Sequence, residues 1–334
     1  MTALAVMPIP ASALPSLASI AERASDYAEA SKAKSTRRAY ATDMADFGAF
    51  AGSYGVATVP SDWRLIAAYA THMADRGLSI ATIRRRMVAI SQAHKTAGHD
   101  SPTAKKAVRD VIAGIARTKG VPPRRKDALS VDLLRNAILT LSDGDLKAKR
   151  DRAMVLLGFA IAARRSELAA LDVEDLRFDH RGLVVTIRRS KTDQEGIGAE
   201  IGVPYVANES LCGARAVSAW LDAAGITTGP VFRTFSKTRV LQANRIDGAD
   251  VARLVKRVTG LAGIAGDFAG HSLRAGFVTS AAASPGVSEV DIMRVSRHRS
   301  VAILRGYVRR ATVFEKAPLT SIFGPSTQPS DGFQ

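Results

Sequence analysis

The sequence predicts two domains, an all-α N-terminal domain and a mainly α (α+β) C-terminal domain with a small antiparallel sheet. Three observations predict this. From Ile20 to about Lys119 the apolar residues recur only at helical spacing. Thr118-Lys119-Gly120-Val121-Pro122-Pro123-Arg124-Arg125-Lys126 then interrupts the pattern with a glycine, two prolines and a basic run. Beyond it, helical segments surround a β-rich run, Leu183-Val184-Val185-Thr186-Ile187, with a return strand at Ile201–Pro204. A chain of 334 residues is the length of about two domains of ~100–200 residues each.

The elements follow in order. Residues 1–28 form a flexible tail, because Pro8, Pro10 and Pro15 break an apolar stretch that lacks the early Lys or Arg of a signal peptide. Ser35-Thr36-Arg37-Arg38 starts a helix whose apolar face is Tyr40, Met44, Phe47 and Ala51. Trp63–Arg76 is a second helix, stopped by Gly77. Ile80–His94 is a third, with Ile83, Met87 and Ile90 on one face, and Pro102–Thr118 a fourth. This helical domain spans residues 29–119 and a basic linker residues 120–128. The second domain spans residues 129–324, opening with helices at Ser130–Leu141 and Ala148–Ala163. The polar stretch Lys191–Gly198 connects its strands, and helices return from Asp250. Residues 325–334 form a disordered tail.

Charge narrows the function. With 47 Lys+Arg against 31 Asp+Glu, the net charge is +16, which calls for a polyanionic partner, nucleic acid or an acidic membrane face. No membrane span is expected, since the longest apolar run, Met154–Ala163, falls short of the ~20 residues a helix needs. Cys212 is the only cysteine, which fits a reducing cytoplasm. The histidines are scattered, with no HExxH, and there is no GxxxxGK[ST] loop or GxGxxG after a strand, so no ATP, NAD or metal cofactor is expected.

Several residues carry chemistry suited to a phosphate. Arg offers a permanently charged planar fork for two phosphate oxygens. His271 and Arg274 lie three apart and share a helix face. Arg164 follows the buried helix, and Glu167 is placed to hydrogen-bond it. Lys191 follows the strand in a basic loop, where neighbouring cations lower its pKa towards general-acid work. Tyr307 sits among Arg305, Arg309 and Arg310; a phenol of pKa near 10 needs such company to act as a nucleophile. Taken singly, each has an ordinary alternative: a surface helix, a solvated helix end, a hairpin lysine, a half-buried tyrosine.

The order Arg164…Glu167, Lys191, His271-x-x-Arg274, His298, Tyr307 is more specific. On Ala163-Arg164-Arg165-Ser166-Glu167-Leu168, the hairpin lysine, His271-Ser272-Leu273-Arg274, His298 and Tyr307, the chain resembles the tyrosine recombinase (phage integrase) family. Arg76-Gly77-Leu78 and Thr82-Ile83, with the long helix after them, make the N-terminal half similar to the core-binding domain of its Cre-like members. The resemblance covers roughly residues 30–320. Two departures stand out: Ala163 where leucine is frequent, and Ser296-Arg297-His298 where Gly-His is usual. Arg297 is therefore expected either to add a phosphate contact or to sit in solvent.

The resemblance implies a site-specific DNA recombinase whose catalytic residues are Arg164, Lys191, His271, Arg274, His298 and Tyr307, with Glu167 supporting. It implies a 3′-phosphotyrosyl intermediate and no cofactor. It also implies double-stranded DNA with inverted-repeat half-sites, a homo-tetramer on two DNA sites formed by docking of the 312–323 segment on a neighbour, accessory DNA-bending proteins, and a cytoplasmic, nucleoid-associated location. Two domains on a basic linker would close on the duplex as a clamp. Arg84, Arg85 and Arg86 are expected at the groove or backbone, and Lys105, Lys106, Arg124 and Arg125 on phosphates; solvated charge is the competing view. A type IB topoisomerase and a non-catalytic DNA-binding regulator are the alternatives.

Overall fold

A computed structural model describes residues 16–31, 33–120, 126–141, 144–188, 198–298, 300–301 and 304–306. The chain divides into two compact units, Met1–Pro123 and Arg124–Gln334.

In the first unit the described elements are helical: α1 (Leu17–Ala30), α2 (Lys34–Ser53), α3 (Trp63–Asp75), α4 (Ile80–Thr96) and α5 (Lys106–Lys119). The expected 1–28 tail therefore contains most of a helix. Its start follows the last proline, Pro15, and the Ser16 hydroxyl accepts a hydrogen bond from the Ser19 N–H at 3.2 Å. α3 begins at Asp62, whose side chain accepts the Arg64 N–H, and ends before Gly77, which takes φ +77°. Ser79 caps α4 by accepting the Thr82 N–H. The segment expected as one helix from Pro102 is divided: a 3₁₀ turn covers Pro102–Ala104, extended Lys105 follows, and α5 starts at Lys106. The apolar faces of α2, α3, α4 and α5 meet in one core of Phe47, Ile66, Tyr69, Met73, Ile83, Met87, Ile90 and Val108.

The second unit is mainly helical with small antiparallel sheets. Its elements are α6 (Val131–Leu139), α7 (Leu146–Ala160), α8 (Arg165–Ala170), β1 (Leu176–Asp179), β2 (Gly182–Ile187) and β3 (Ala199–Pro204). They continue with α9 (Gly213–Ala224), β4 (Arg233–Phe235), β5 (Leu241–Arg245), α10 (Gly248–Leu261), α11 (His271–Ala283) and α12 (Glu289–Ser296). The expected pairing is present, with Val185 opposite Ile201, and β1 adds a third strand on the other side of β2, Val185 opposite Leu176. β4 and β5 form a separate two-stranded sheet.

The core explains the apolar run. Ala153 to Gly158 of α7 are buried one after another because α8, α9 and α11 all pack on that helix. Trp220 of α9 is fully buried and donates its indole N–H to the Val231 carbonyl at 2.8 Å. At the start of α7, Asp151 gathers Lys147, Arg150 and Arg257, so that end is held by charge. α11 comes so close to the chain at Leu129 that a Cβ on Gly276 would lie 1.8 Å from the Leu129 carbonyl oxygen. Gly276→Ala is expected to push α11 away and to lower the unfolding free energy by about 1–3 kcal/mol in urea titration of the full chain.

Candidate active site

The site is built on the turn that ends α7. After Ala160 the chain turns through Ile161 and Ala162, and Ala162 takes φ +45°, a left-handed conformation that L-residues seldom adopt. The turn re-aims the chain so that Arg164 stands in extended conformation at the head of α8. The Cβ of any residue replacing Gly158 would meet Leu273 at 2.9 Å and Leu168 at 3.0 Å. α7 therefore lies close against both α8 and α11, the helices that carry the two candidate phosphate arginines.

Glu167 fixes Arg164 from within the first turn of α8. Its Oε2 accepts the Arg164 backbone N–H at 2.9 Å, and its Oε1 accepts the guanidinium. The carboxylate is almost fully buried, with 1% of its side chain exposed. Burial pushes its pKa up, but Arg297 and the Arg164 backbone and side chain more than offset this, so the group stays below the usual carboxylate range. A negative charge in the first turn also suits the positive end of the helix.

Arg274 reaches the same turn from α11. It is 2% exposed, and one guanidinium nitrogen donates to the Ala162 carbonyl at 2.8 Å. His271 is the exposed first residue of α11, one turn before it. His298 follows α12, with its Nδ1 in a 2.8 Å hydrogen bond to the buried Ser296 hydroxyl. Burial first, then the charges of Arg274, Arg164, His271 and Arg297, push the His298 ring down to about 4. The ring is thus neutral at pH 7, with Ser296 holding its Nδ1 edge. Arg274, Arg164 and His271 are thus near enough for their charges to act on the His298 ring.

Lys191 and Tyr307 lie outside the described residues, as do Arg124, Arg125 and the 312–323 segment. The end of β2, four residues before Lys191, does adjoin the site: Ile187 and Arg188 share a cleft with Glu167. Arg188 is anchored there, donating to Asp172 and to Asp175 at 2.8 Å each.

Among the expected DNA contacts, Arg86 is placed otherwise. Only 11% of its side chain is exposed, and it is committed to Asp46, to Asp43 and to the Tyr69 hydroxyl at 2.9 Å. The residue lies beside the apolar face, close enough for buried carboxylates on α2 to draw it in. Arg85 also donates to Asp43, at 2.7 Å, though it remains more exposed. Arg84, Lys105 and Lys106 are exposed, Lys106 beside Asp110.

Arg297, expected to add a phosphate contact or to sit in solvent, is not in solvent. Its side chain is 10% exposed and donates to Glu167 Oε2 at 2.6 Å and to the Ile161 carbonyl at 3.1 Å. Its partner lies 130 residues earlier, so no local spacing could announce the pair. The one available signal is an arginine at a helix end where a glycine is the easy residue.

The model of the phage integrase family matches residues 132–312. An integrase/recombinase xerD homolog from Selenomonas ruminantium is 36% identical over 299 residues, covering 88% of this chain and 87% of its own. A lambda integrase dimer bound to a COC′ core site aligns at TM-score 0.57 and 16% identity, over 87% of this chain and 77% of its own. The XerH site-specific recombinase bound to palindromic difH substrate aligns at TM-score 0.55 and 16% identity, over 79% and 72%. At such identities the two structures speak for the fold, and the sequence relatives for the family.

Proposed function

The chain belongs to the phage integrase family of site-specific recombinases, which break and rejoin DNA, and we propose that it does so with Tyr307 as nucleophile and the Arg164–Arg274 pair as its phosphate site. What supports this reading is that Arg164 follows the turn at Ala162 and Arg274 is bonded to it, while the charges of both and of His271 act on the His298 ring. Two permanent cations held from separate helices, with neutral and exposed imidazoles beside them, suit a phosphodiester gaining negative charge.

In this mechanism the Tyr307 oxygen attacks the phosphorus and gives up its proton with the help of His271. A 3′-phosphotyrosyl bond forms as the bond to the 5′-oxygen breaks. Lys191 protonates that oxygen, releasing a 5′-hydroxyl. Arg164 and Arg274 neutralise the non-bridging oxygens of the five-coordinate transition state, His298 hydrogen-bonds one of them, and Glu167 holds Arg164 in place. The 5′-hydroxyl of a partner strand then reverses the step. The bond energy is kept in the protein–DNA link, so strand exchange needs no nucleotide cofactor. A DNA-relaxing topoisomerase or a non-catalytic regulator is not favoured, since the family match points to recombination.

The finer reading is a homo-tetramer on two DNA sites, each with inverted-repeat half-sites, aided by DNA-bending proteins and located on the cytoplasmic nucleoid. No helix among the described residues is long and apolar enough to cross a membrane. Arg84, Lys105, Lys106, Arg124 and Arg125 supply backbone contacts, Arg85 in part, and the Cre-like character of residues 29–119 suits a duplex-binding domain. The test is covalent capture. Protein incubated in EDTA with random genomic fragments is expected to give a DNA-linked species on a denaturing gel. Sequencing the captured DNA identifies the site, and mass spectrometry of the linked peptide is expected to find Tyr307. Strict dependence on Mg²⁺, or a linked peptide lacking Tyr307, would overturn the assignment.

A further inference from the structure

We propose that Arg297 is a positioning residue for cleavage, sharing the Glu167 carboxylate so that Arg164 keeps its charge for the phosphate and His298 is held beside it. The inference rests on the recombinase reading above and concerns a residue that the mechanism does not otherwise use.

The backbone is the first observation. Arg297 takes φ +56° and ψ +38° directly after α12, a left-handed conformation that glycine adopts freely and that crowds any residue with a Cβ. A strained non-glycine at such a place points to a task for its side chain. The second observation is what that side chain does. It donates to Glu167 Oε2 at 2.6 Å, to the Ile161 carbonyl at 3.1 Å and to the Val295 carbonyl at 2.8 Å. Ile161 and Ala162 are consecutive, so one turn of backbone is tied by Arg297 through the first carbonyl and by Arg274 through the second. The next residue after Arg297 is His298. The strained backbone thus links the arginine turn to the histidine.

Charge is the third observation. A buried Glu167 paired with Arg164 alone would form a neutral couple, and a neutral couple attracts a phosphate poorly. With Arg297 on the same carboxylate the trio carries one net positive charge. Arg297 itself is screened from solvent, so Arg164, with 18% of its side chain exposed, is the member that can present this charge to a ligand. Arg297 is therefore expected to act on the cleavage step through Arg164 rather than on the affinity for DNA.

The experiment uses the full chain and a nicked suicide duplex carrying the captured site. Arg297→Met is expected to lower the single-turnover cleavage rate about 10–100-fold, by analogy with the loss of an outer-shell partner that orients a metal ligand. The protein concentration that half-saturates the duplex is expected to stay within about threefold, since the phosphate contacts that set affinity remain. Adding Glu167→Gln to Arg297→Met removes the negative charge, restores one net positive charge, and leaves an amide oxygen to accept the Arg164 N–H. The double variant is therefore expected to cleave faster than Arg297→Met alone, an outcome that a merely structural arginine would not give. Should Arg297→Met unfold, Arg297→Gly, which suits the backbone, carries the same comparison. Wild-type cleavage by Arg297→Met or Arg297→Gly, or a double variant no faster than the single, would overturn the proposal. A wild-type protein that forms no adduct with any duplex would instead overturn the recombinase reading.

Discussion

Tyr307→Phe is expected to bind the captured duplex as the wild type does and to form no covalent adduct. The substitution removes one oxygen and leaves the arginines, which hold the phosphate, in place. With no nucleophile there is no phosphotyrosyl bond, so cleavage should fall at least about 10⁴-fold, as when a covalent catalyst loses its attacking atom. A gel-shift titration beside a denaturing adduct gel separates the two effects. The other tyrosines suit the role poorly. Tyr69 is fully buried and gives its hydroxyl proton to a hydrogen bond with Asp46, which with burial raises its pKa. Tyr27, Tyr40 and Tyr54 belong to the first unit, whereas the cluster's elements belong to the second. Tyr205 is in the second unit, but its ring stacks under Arg215 at 5.1 Å and follows β3. Tyr205→Phe is the control that should keep cleaving. An adduct that survived Tyr307→Phe and vanished in Tyr205→Phe would move the nucleophile.

Helices α2 to α4 were legible in the sequence because their cores are built from local repeats, whereas α1, in the expected tail, and α9 were not read. Ile83, Met87 and Ile90 recur at helical spacing and all three are buried. β2 was legible because five consecutive β-prone residues read as a strand however they pack, and β3 because it returns to it. β1, β4 and β5 were not. They are three to five residues long and mix Arg, Asn, Gln and Asp with few apolar residues, so no alternation marks them. The functional residues divide in the same way. Glu167 could be read as a partner of Arg164 because the two are three apart on one helix end. The tie between Arg274 and Ala162 spans 112 residues, and that between Arg297 and Glu167 spans 130. Such contacts exist only after α7, α8, α11 and α12 have packed, and no spacing encodes them. The inward turn of Arg86 failed to show for a related reason: the carboxylates that draw it in, Asp43 and Asp46, lie on a different helix.

Arg274→Ala is expected to reduce cleavage by roughly 10²–10³-fold, the usual loss when a preorganised donor to transition-state charge is removed. Two effects must be separated, because the residue is buried. Its loss leaves the Ala162 carbonyl without a donor and opens a void beside α7, which should lower stability by about 1–3 kcal/mol. Urea unfolding measures that part, and cleavage rates per folded molecule measure the rest. Arg274→Lys distinguishes a fork from a point charge. A lysine can keep the positive charge and reach either the Ala162 carbonyl or the phosphate, but its single ammonium cannot hold both in a fixed plane. It should therefore recover much of the stability and at most about tenfold of the rate. If Arg274→Lys cleaves like the wild type, a point charge suffices at this position and the planar fork is not needed for cleavage. If both variants lose rate while the folded fraction is unchanged, the turn at Ala162 is a scaffold, and its function is to fix an arginine whose other nitrogens meet the phosphate.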